Sequence, residues 1–315
     1  MSTDTPQQPS SILDKLKSKN ITESTFNLYK KNLLKLNGNK EIKNLNFLKN
    51  VEKTIEKIAH LKPNTRRTYI ISIVSLLKEE PSQKKLYDKY YKLLIEYNNS
   101  LKVNNEKSET QKENWMSSEE IQKIYGDLEK EIEPFLQHKK LTAAEFDKVQ
   151  SFVILSLYVL IPPRRNADYS LMKIVPRYVD GMDKSSNYLD MEAKQFVFNN
   201  YKTAKTYQTQ RTDIPPKLFD IISTYLKFHP SKKELVKKKY CVNLLVTANG
   251  EAFNAPNAIT RILNKVFHKK LGCSMLRHIY LTDKYADQNN DIKKDATAMG
   301  TSVPTIQNQY IKDTI

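Results

Sequence analysis

Cysteine is nearly absent from this 315-residue chain: Cys241 and Cys273 are the whole supply, and they lie far apart. That count excludes a disulfide framework and any zinc site built from cysteines alone. Histidine is sparse as well. His60, His138, His229, His268 and His278 include no pair at metal-ligand spacing, so the sequence gives no support to a metal-dependent mechanism. No run of about 18 apolar residues occurs, which leaves no candidate for a membrane-crossing helix. The opening MSTDTPQQPSS lacks the basic-then-apolar order of a secretory signal. The expectation from these absences is a soluble, intracellular protein whose mechanism does not depend on a metal.

Positive charge is what the chain has in excess. Lys and Arg number 52 against 35 Asp and Glu, a formal net charge of +17. A balance that uneven answers a polyanion, and nucleic acid is the expected partner. The length suits two domains of ordinary size, each able to bury its own core. The charge is concentrated at one end, since residues 1–112 hold 22 Lys and Arg against 12 Asp and Glu, a net +10.

Residues 1–20 read as a flexible basic arm. In ITESTFNLYKKNLLKL, Phe26, Tyr29, Leu33 and Leu36 recur at helical spacing, and Leu48, Val51, Ile55 and Ile58 repeat the pattern. KPNTRRTYIISIVSLLK predicts a third helix, with Thr65 as N-cap and Tyr69, Ile70, Ile73, Val74 and Leu77 facing inward. Leu86, Tyr90, Leu93, Leu94 and Tyr97 mark a fourth. Residues 21–98 are therefore expected to form a four-helix bundle. Arg66 and Arg67, near a helix start, are its candidate phosphate contacts, with an ordinary solvated charged face as the alternative.

Residues 99–115 are polar, lack an apolar period and read as a linker. Beyond them, residues 116–315 form a second expected domain. Ser117 and Glu120 make a capping-box pattern, and AAEFDKVQSFVILSLYVLI is apolar nearly all round, as in a helix buried within a core. NYLDMEAKQFVFNNYKTAKTYQTQRTDIPP turns to short aromatic and β-branched runs, the signature of a strand pair or small sheet. From Pro215 the pattern is helical again. The predicted fold class is mainly α, with a small antiparallel sheet in the second domain.

Four short stretches carry the chemistry. PPRRNADY places Arg164 and Arg165 directly after the buried helix, and NNYKTAKTY places Lys202 on the sheet, where three residues along a strand are expected to turn Lys205 to the opposite face. MLRHIYL supplies Arg277, and MGTSVPTIQNQY ends in Tyr310. By itself Tyr310 is one of 18 tyrosines and would be read as core packing. In this order, however, the stretches resemble the boxes of the tyrosine recombinases, the phage-integrase-type site-specific recombinases. The PPRRNADY and MLRHIYL forms look most like members from eukaryotic DNA viruses and crypton-like mobile elements. Arg277 and Tyr310 stand 33 residues apart and Thr301 and Tyr310 nine apart, both as in that family.

The resemblance spans nearly the whole chain and implies a helical core-binding domain, a linker and a catalytic domain. It implies Arg165 and Arg277 as a phosphate clamp, Lys202 as the general acid and Tyr310 as the nucleophile. The residue types suit the chemistry. Two rigid guanidinium forks stabilise extra charge on the non-bridging oxygens of an attacked phosphodiester. A cationic pocket favours the phenolate of a tyrosine, and a lysine can protonate a leaving 5′ oxygen. Arg164 remains an alternative to Arg165, and Lys205 an alternative to Lys202; otherwise the two serve as DNA contacts. Asp168 is expected to orient an arginine.

Two positions depart from the family boxes. Ser274 stands where the family usually has histidine, three residues before Arg277, and Thr301 stands where it has His or Trp. A hydroxyl can bind phosphate but is a poor base at neutral pH. His278 either covers one of these roles or supports the site structurally. The resemblance implies a recombinase or integrase that needs no cofactor and acts on double-stranded DNA as a homo-oligomer, a tetramer assembled on the DNA, in the host nucleus or a viral replication compartment. The alternatives are a type IB topoisomerase and a catalytically weakened DNA-binding relative.

Overall fold

A computed structural model describes residues 12–17, 21–101, 107–237 and 239–307. The chain divides into two compact units, Met1–Glu106 and Lys107–Ile315.

The first unit is helical: α1 (Asp14–Lys17), α2 (Glu23–Leu36), α3 (Val51–Glu56), α4 (Pro63–Leu77) and α5 (Lys84–Ser100). Most of residues 1–20 lie outside the described residues. Ile12 to Lys17, though, belong to the fold rather than to a free arm, because Leu16 is fully buried and Lys15 pairs with Glu80 at 2.7 Å. Helix α4 packs against both α2 and α5. Its inward face is the one the sequence marks, with Tyr69, Ile70, Ile73, Val74 and Leu77 buried. Polar groups inside this core are paired: Asn32 Nδ2 donates to Ser72 Oγ at 3.0 Å, and Tyr90 Oη donates to the Leu48 carbonyl at 2.9 Å. The second predicted helix is broken, with a 3-10 turn at Asn46–Leu48 ahead of the six-residue α3.

The start of α4 also differs from expectation. Lys62, not Thr65, is the N-cap, and Pro63 takes the first helical position. Proline suits that place, since its fixed φ matches the helix and no N–H is needed there.

The second unit begins inside the stretch that reads as a linker. Residues 109–114 form α6 (Glu109–Asn114), closed by a capping box between Ser108 and Gln111. Polarity alone hides this helix because it is only six residues long, too short to show an apolar period. There follow α7 (Ser118–Ile132), α8 (Ala143–Val159), α9 (Asn166–Ser170), β1 (Lys173–Val175), β2 (Tyr188–Asp190), β3 (Gln195–Phe198), α10 (Ala204–Tyr207), β4 (Gln210–Asp213), α11 (Pro216–Leu226), α12 (Lys232–Leu235), β5 (Val242–Asn243), α13 (Ala258–Phe267), α14 (Cys273–Ala298) and α15 (Val303–Thr305).

Helix α8 is the centre of this unit, in contact with α7, α11 and α13. Ten of its seventeen residues are buried, as its all-round apolar character requires. The polar Gln150 is tolerated there because its Oε1 accepts from both Tyr225 Oη (2.8 Å) and the Val246 N–H (3.0 Å). The chain is thus mainly α with one small sheet. Strand order is β4-β3-β2-β1-β5, and the sheet is mixed rather than wholly antiparallel: β1 and β2 run parallel, and the other three pairings are antiparallel. The parallel pair forms because residues 176–187 cross over instead of making a tight hairpin. Among the described residues no helix is long and apolar enough to cross a membrane.

Candidate active site

Helix α8 stops where proline makes it stop. Pro162 and Pro163 follow its last turn, and the chain re-enters a helix at α9 with Arg165 as N-cap, φ −75° and ψ 150°. Asn166, the first residue of α9, fixes the position of this corner. It accepts from Tyr158 Oη at 2.8 Å and donates to Thr260 Oγ1 of α13 at 2.7 Å. Both arginines sit on the tied corner.

A cavity of about 360 Å³ opens against it. Arg164, Arg165 and Asp168 line one side, Arg277 of α14 joins them, and Thr203, Tyr207, Gln210 and Thr212 come from β4 and the connector before it. The two arginine boxes are separated by 112 residues in sequence yet share this one space. Three guanidinium groups around one cavity, with one carboxylate among them, make a site for an anion.

The three arginines are held differently. Arg164 is the anchored one. Its Nε donates to Asp168 Oδ2 at 3.0 Å, its Nη1 donates to Gln210 Oε1 at 3.1 Å, and its guanidinium carbon lies 3.7 Å from the Phe198 ring centre and 5.2 Å from that of Tyr201. Asp168 therefore orients Arg164; no hydrogen bond joins its side chain to that of Arg165 among the described residues. Asp168 is 2% exposed, and burial pushes its carboxyl above the ordinary range even though the charges of Arg164 and Arg165 pull the other way. Arg165 and Arg277 are half-buried, with no carboxylate partner among the described residues, and so keep their donor forks for what enters the cavity.

The lysines lie elsewhere than the sequence suggests. Neither stands on a strand: Lys202 is in a turn four residues past the end of β3, and Lys205 is within the single turn of α10. Strand parity does not separate them, and both are exposed beside the cavity-lining Thr203. The connector that carries them, residues 199–209, is closely tied. Asn187, buried just before β2, accepts from the N–H groups of Asn199 and Asn200 at 2.9 and 2.8 Å. It donates to the carbonyls of Asp168 and Asn200, both at 2.9 Å.

Ser274 and His278 flank Arg277 on α14, and both are exposed rather than turned into the cavity. Helix α14 ends in a Schellman motif, with Gly300 at φ 63°, its N–H on the Thr297 carbonyl (3.2 Å) and the Thr301 N–H on the Ala296 carbonyl (2.9 Å). Thr301 is thus half-buried at the turn into α15. Tyr310 lies outside the described residues.

Two other tyrosines bear on the choice of nucleophile. Tyr169 sits behind the arginines, fully buried, edge-on to Tyr158, Phe196 and Phe198, and burial drives its hydroxyl far from ionising. Tyr207 lines the cavity and is 63% exposed, so it is the rival among the described residues. Sequence reading passes over Tyr207, Gln210 and Thr212. The alternation of half-buried and exposed residues along β4 turns Gln210 and Thr212 to one face, a period of two that the short strand shows only weakly.

In the first unit, Arg66 and Arg67 are less free than a solvated face implies. Arg66 Nε donates to the Leu61 carbonyl at 2.7 Å and its N–H to the Lys62 carbonyl, while Arg67 Nε donates to Asn98 Oδ1 on α5. Both are half-buried.

No family model matches the sequence, and no curated protein matches it. Among solved structures the chain is similar to one described as the crystal structure of XerA recombinase, with a TM-score of 0.35 and 14% identity over 94% of this chain and 91% of that one. A likeness of that degree assigns no role to any residue here.

Proposed function

We propose that this chain is a DNA strand-exchange enzyme of the tyrosine recombinase type. The observation that carries the reading is the convergence of Arg165 and Arg277 on one cavity beside the connector bearing Lys202 and Lys205. In the proposed reaction Arg165 and Arg277 bind the non-bridging oxygens of a DNA phosphate and stabilise the charge that develops as it is attacked. The Tyr310 oxygen, its proton removed, forms a bond to phosphorus. The bond from phosphorus to the 5′ oxygen breaks, and the ammonium of Lys202 gives that oxygen its proton. The 3′-phosphotyrosyl bond keeps the energy of the phosphodiester, so a 5′ hydroxyl from another strand can reverse the step without ATP. Exposed Ser274, His278 and Thr301 at the turn support the helix that carries Arg277 rather than act on the phosphate. Arg66, Arg67 and the net charge of the first unit hold the duplex, and the active assembly is a homo-oligomer, a tetramer formed on DNA.

Strand exchange and relaxation use the same four groups but differ in what they need from DNA. Incubation with two marked duplexes, each carrying a junction sequence recovered from cells that express the protein, is expected to yield exchanged products that disappear in Arg277→Ala. Relaxation of plasmids that lack any such sequence, without exchange, would make the protein a type IB topoisomerase instead. DNA binding with neither reaction would make it a weakened relative.

A further inference from the structure

Arg164 lines the arginine cavity but spends its donors on the protein. It reaches both ends of the connector: Phe198, under its guanidinium, is the last residue of β3, and Gln210, which accepts from its Nη1, is the first residue of β4. Between those ends Tyr201 also lies beneath the guanidinium, and Tyr201 Oη donates to the Gln208 carbonyl at 2.7 Å. Gln208 has φ 54° and ψ −154°, backbone that a residue with a side chain adopts only when its surroundings force it. The other end of the guanidinium is fixed on α9 by the buried Asp168.

From this geometry we infer that Arg164 is a positioning residue, a clamp that holds the lysine-bearing connector against the arginine corner. The inference rests on the recombinase reading for its consequence, since the connector presents the general acid; the clamp itself is a property of the fold. A neutral aliphatic side chain at 164 removes the tie to Gln210 and the stacking on Phe198 and Tyr201. The connector then loosens, the strained Gln208 relaxes, and the lysine no longer meets the leaving oxygen. Phosphate binding by Arg165 and Arg277 stays.

Two readouts test this on the full chain. The first is amide hydrogen exchange in Arg164→Met. The N–H groups of Ala204, Thr206, Tyr207 and Gln208, all bonded within the connector, are expected to exchange at least tenfold faster, while those of α8 and α13 keep their wild-type rates. Unchanged connector amides would overturn the clamp. The second is cleavage of a DNA oligonucleotide, ordinary or with sulfur replacing the leaving 5′ oxygen. Arg164→Met is expected to slow ordinary cleavage about 10²–10⁴-fold, the range for loss of a general acid, and to recover on sulfur, which leaves without a proton.

Lys202→Ala is expected to show the same loss and recovery, and the double variant to be no worse than Lys202→Ala; a double variant clearly slower than Lys202→Ala would overturn the clamp. A defect that sulfur does not relieve would make Arg164 a phosphate-binding arginine and would overturn the clamp. Should Arg164→Met fail to fold because Asp168 is left buried, Gln210→Ala removes only the connector arm and is expected to show both effects in weaker form. Wild-type protein inert on both substrates would mean that the recombinase reading has failed, while the exchange measurement still decides the clamp.

Discussion

His229 is an ionisable group away from the candidate site, with no exposed surface. Its Nδ1 accepts from the Ser231 N–H at 3.1 Å, so the ring proton sits on Nε2, toward the backbone of Asn243 and Leu244. Burial pushes its pKa down to about 4 from the ordinary 6.5. The unfolded chain therefore takes up a proton near pH 6.5 that the folded chain refuses until about pH 4. Stability from this residue is full above pH 6.5 and falls as the pH drops through that window, by on the order of 2–3 kcal/mol. Urea midpoints measured from pH 7 to pH 4 are expected to fall more steeply in the wild type than in His229→Gln; parallel curves would contradict it. The sequence does not reveal this, since a lone histidine in FHPSKK looks like any other. The same holds at the arginine corner. That Arg164 and Arg165 stand together at a corner is legible from their place after a buried helix and two prolines. Which of them Asp168 holds depends on the side-chain directions of a five-residue helix, and no spacing rule specifies those.

Elements with strong periodicity are readable in this chain, and elements that are short or made by turns are not. Helix α8, the inward face of α4 and strand β3 follow from apolar pattern. Helix α6 inside the apparent linker, the one-turn α10 that carries Lys205 and the parallel crossover from β1 to β2 have too few residues to leave a pattern. Helix α14 carries a local device that is legible, the glycine after its last turn. Gly300 at φ 63° has nothing within 4 Å of where a Cβ would stand, so a substitution there meets backbone strain rather than a clash. Gly300→Ala is expected to cost about 1–2 kcal/mol, seen as a lower Tm. It is also expected to impair DNA cleavage more than DNA binding, because the turn joins the helix that carries Arg277 to the segment that contains Tyr310 in sequence. Unchanged Tm and cleavage would show that the Schellman end is not what directs that segment.

For the whole molecule, the net charge of +17 makes the strongest claim. A duplex gripped through several phosphates releases as many counterions, and affinity then falls steeply with salt. Between about 50 and 200 mM salt the dissociation constant is expected to rise by roughly three orders of magnitude or more. Fluorescence anisotropy of a labelled duplex measures it, and a salt-independent affinity would contradict electrostatic binding.

The central claim, that Tyr310 becomes joined to DNA, is tested most directly by mapping the covalent adduct. A nicked duplex that traps the cut strand is incubated with the protein, denatured and digested with trypsin. The account predicts that the nucleotide is carried by the peptide from Asp295 to Lys312, which contains Tyr310, and that Tyr310→Phe forms no adduct while still binding DNA. A nucleotide on the peptide from Thr206 to Arg211 would assign the nucleophile to Tyr207, and an adduct on any other tyrosine peptide, or none at all, would contradict the account.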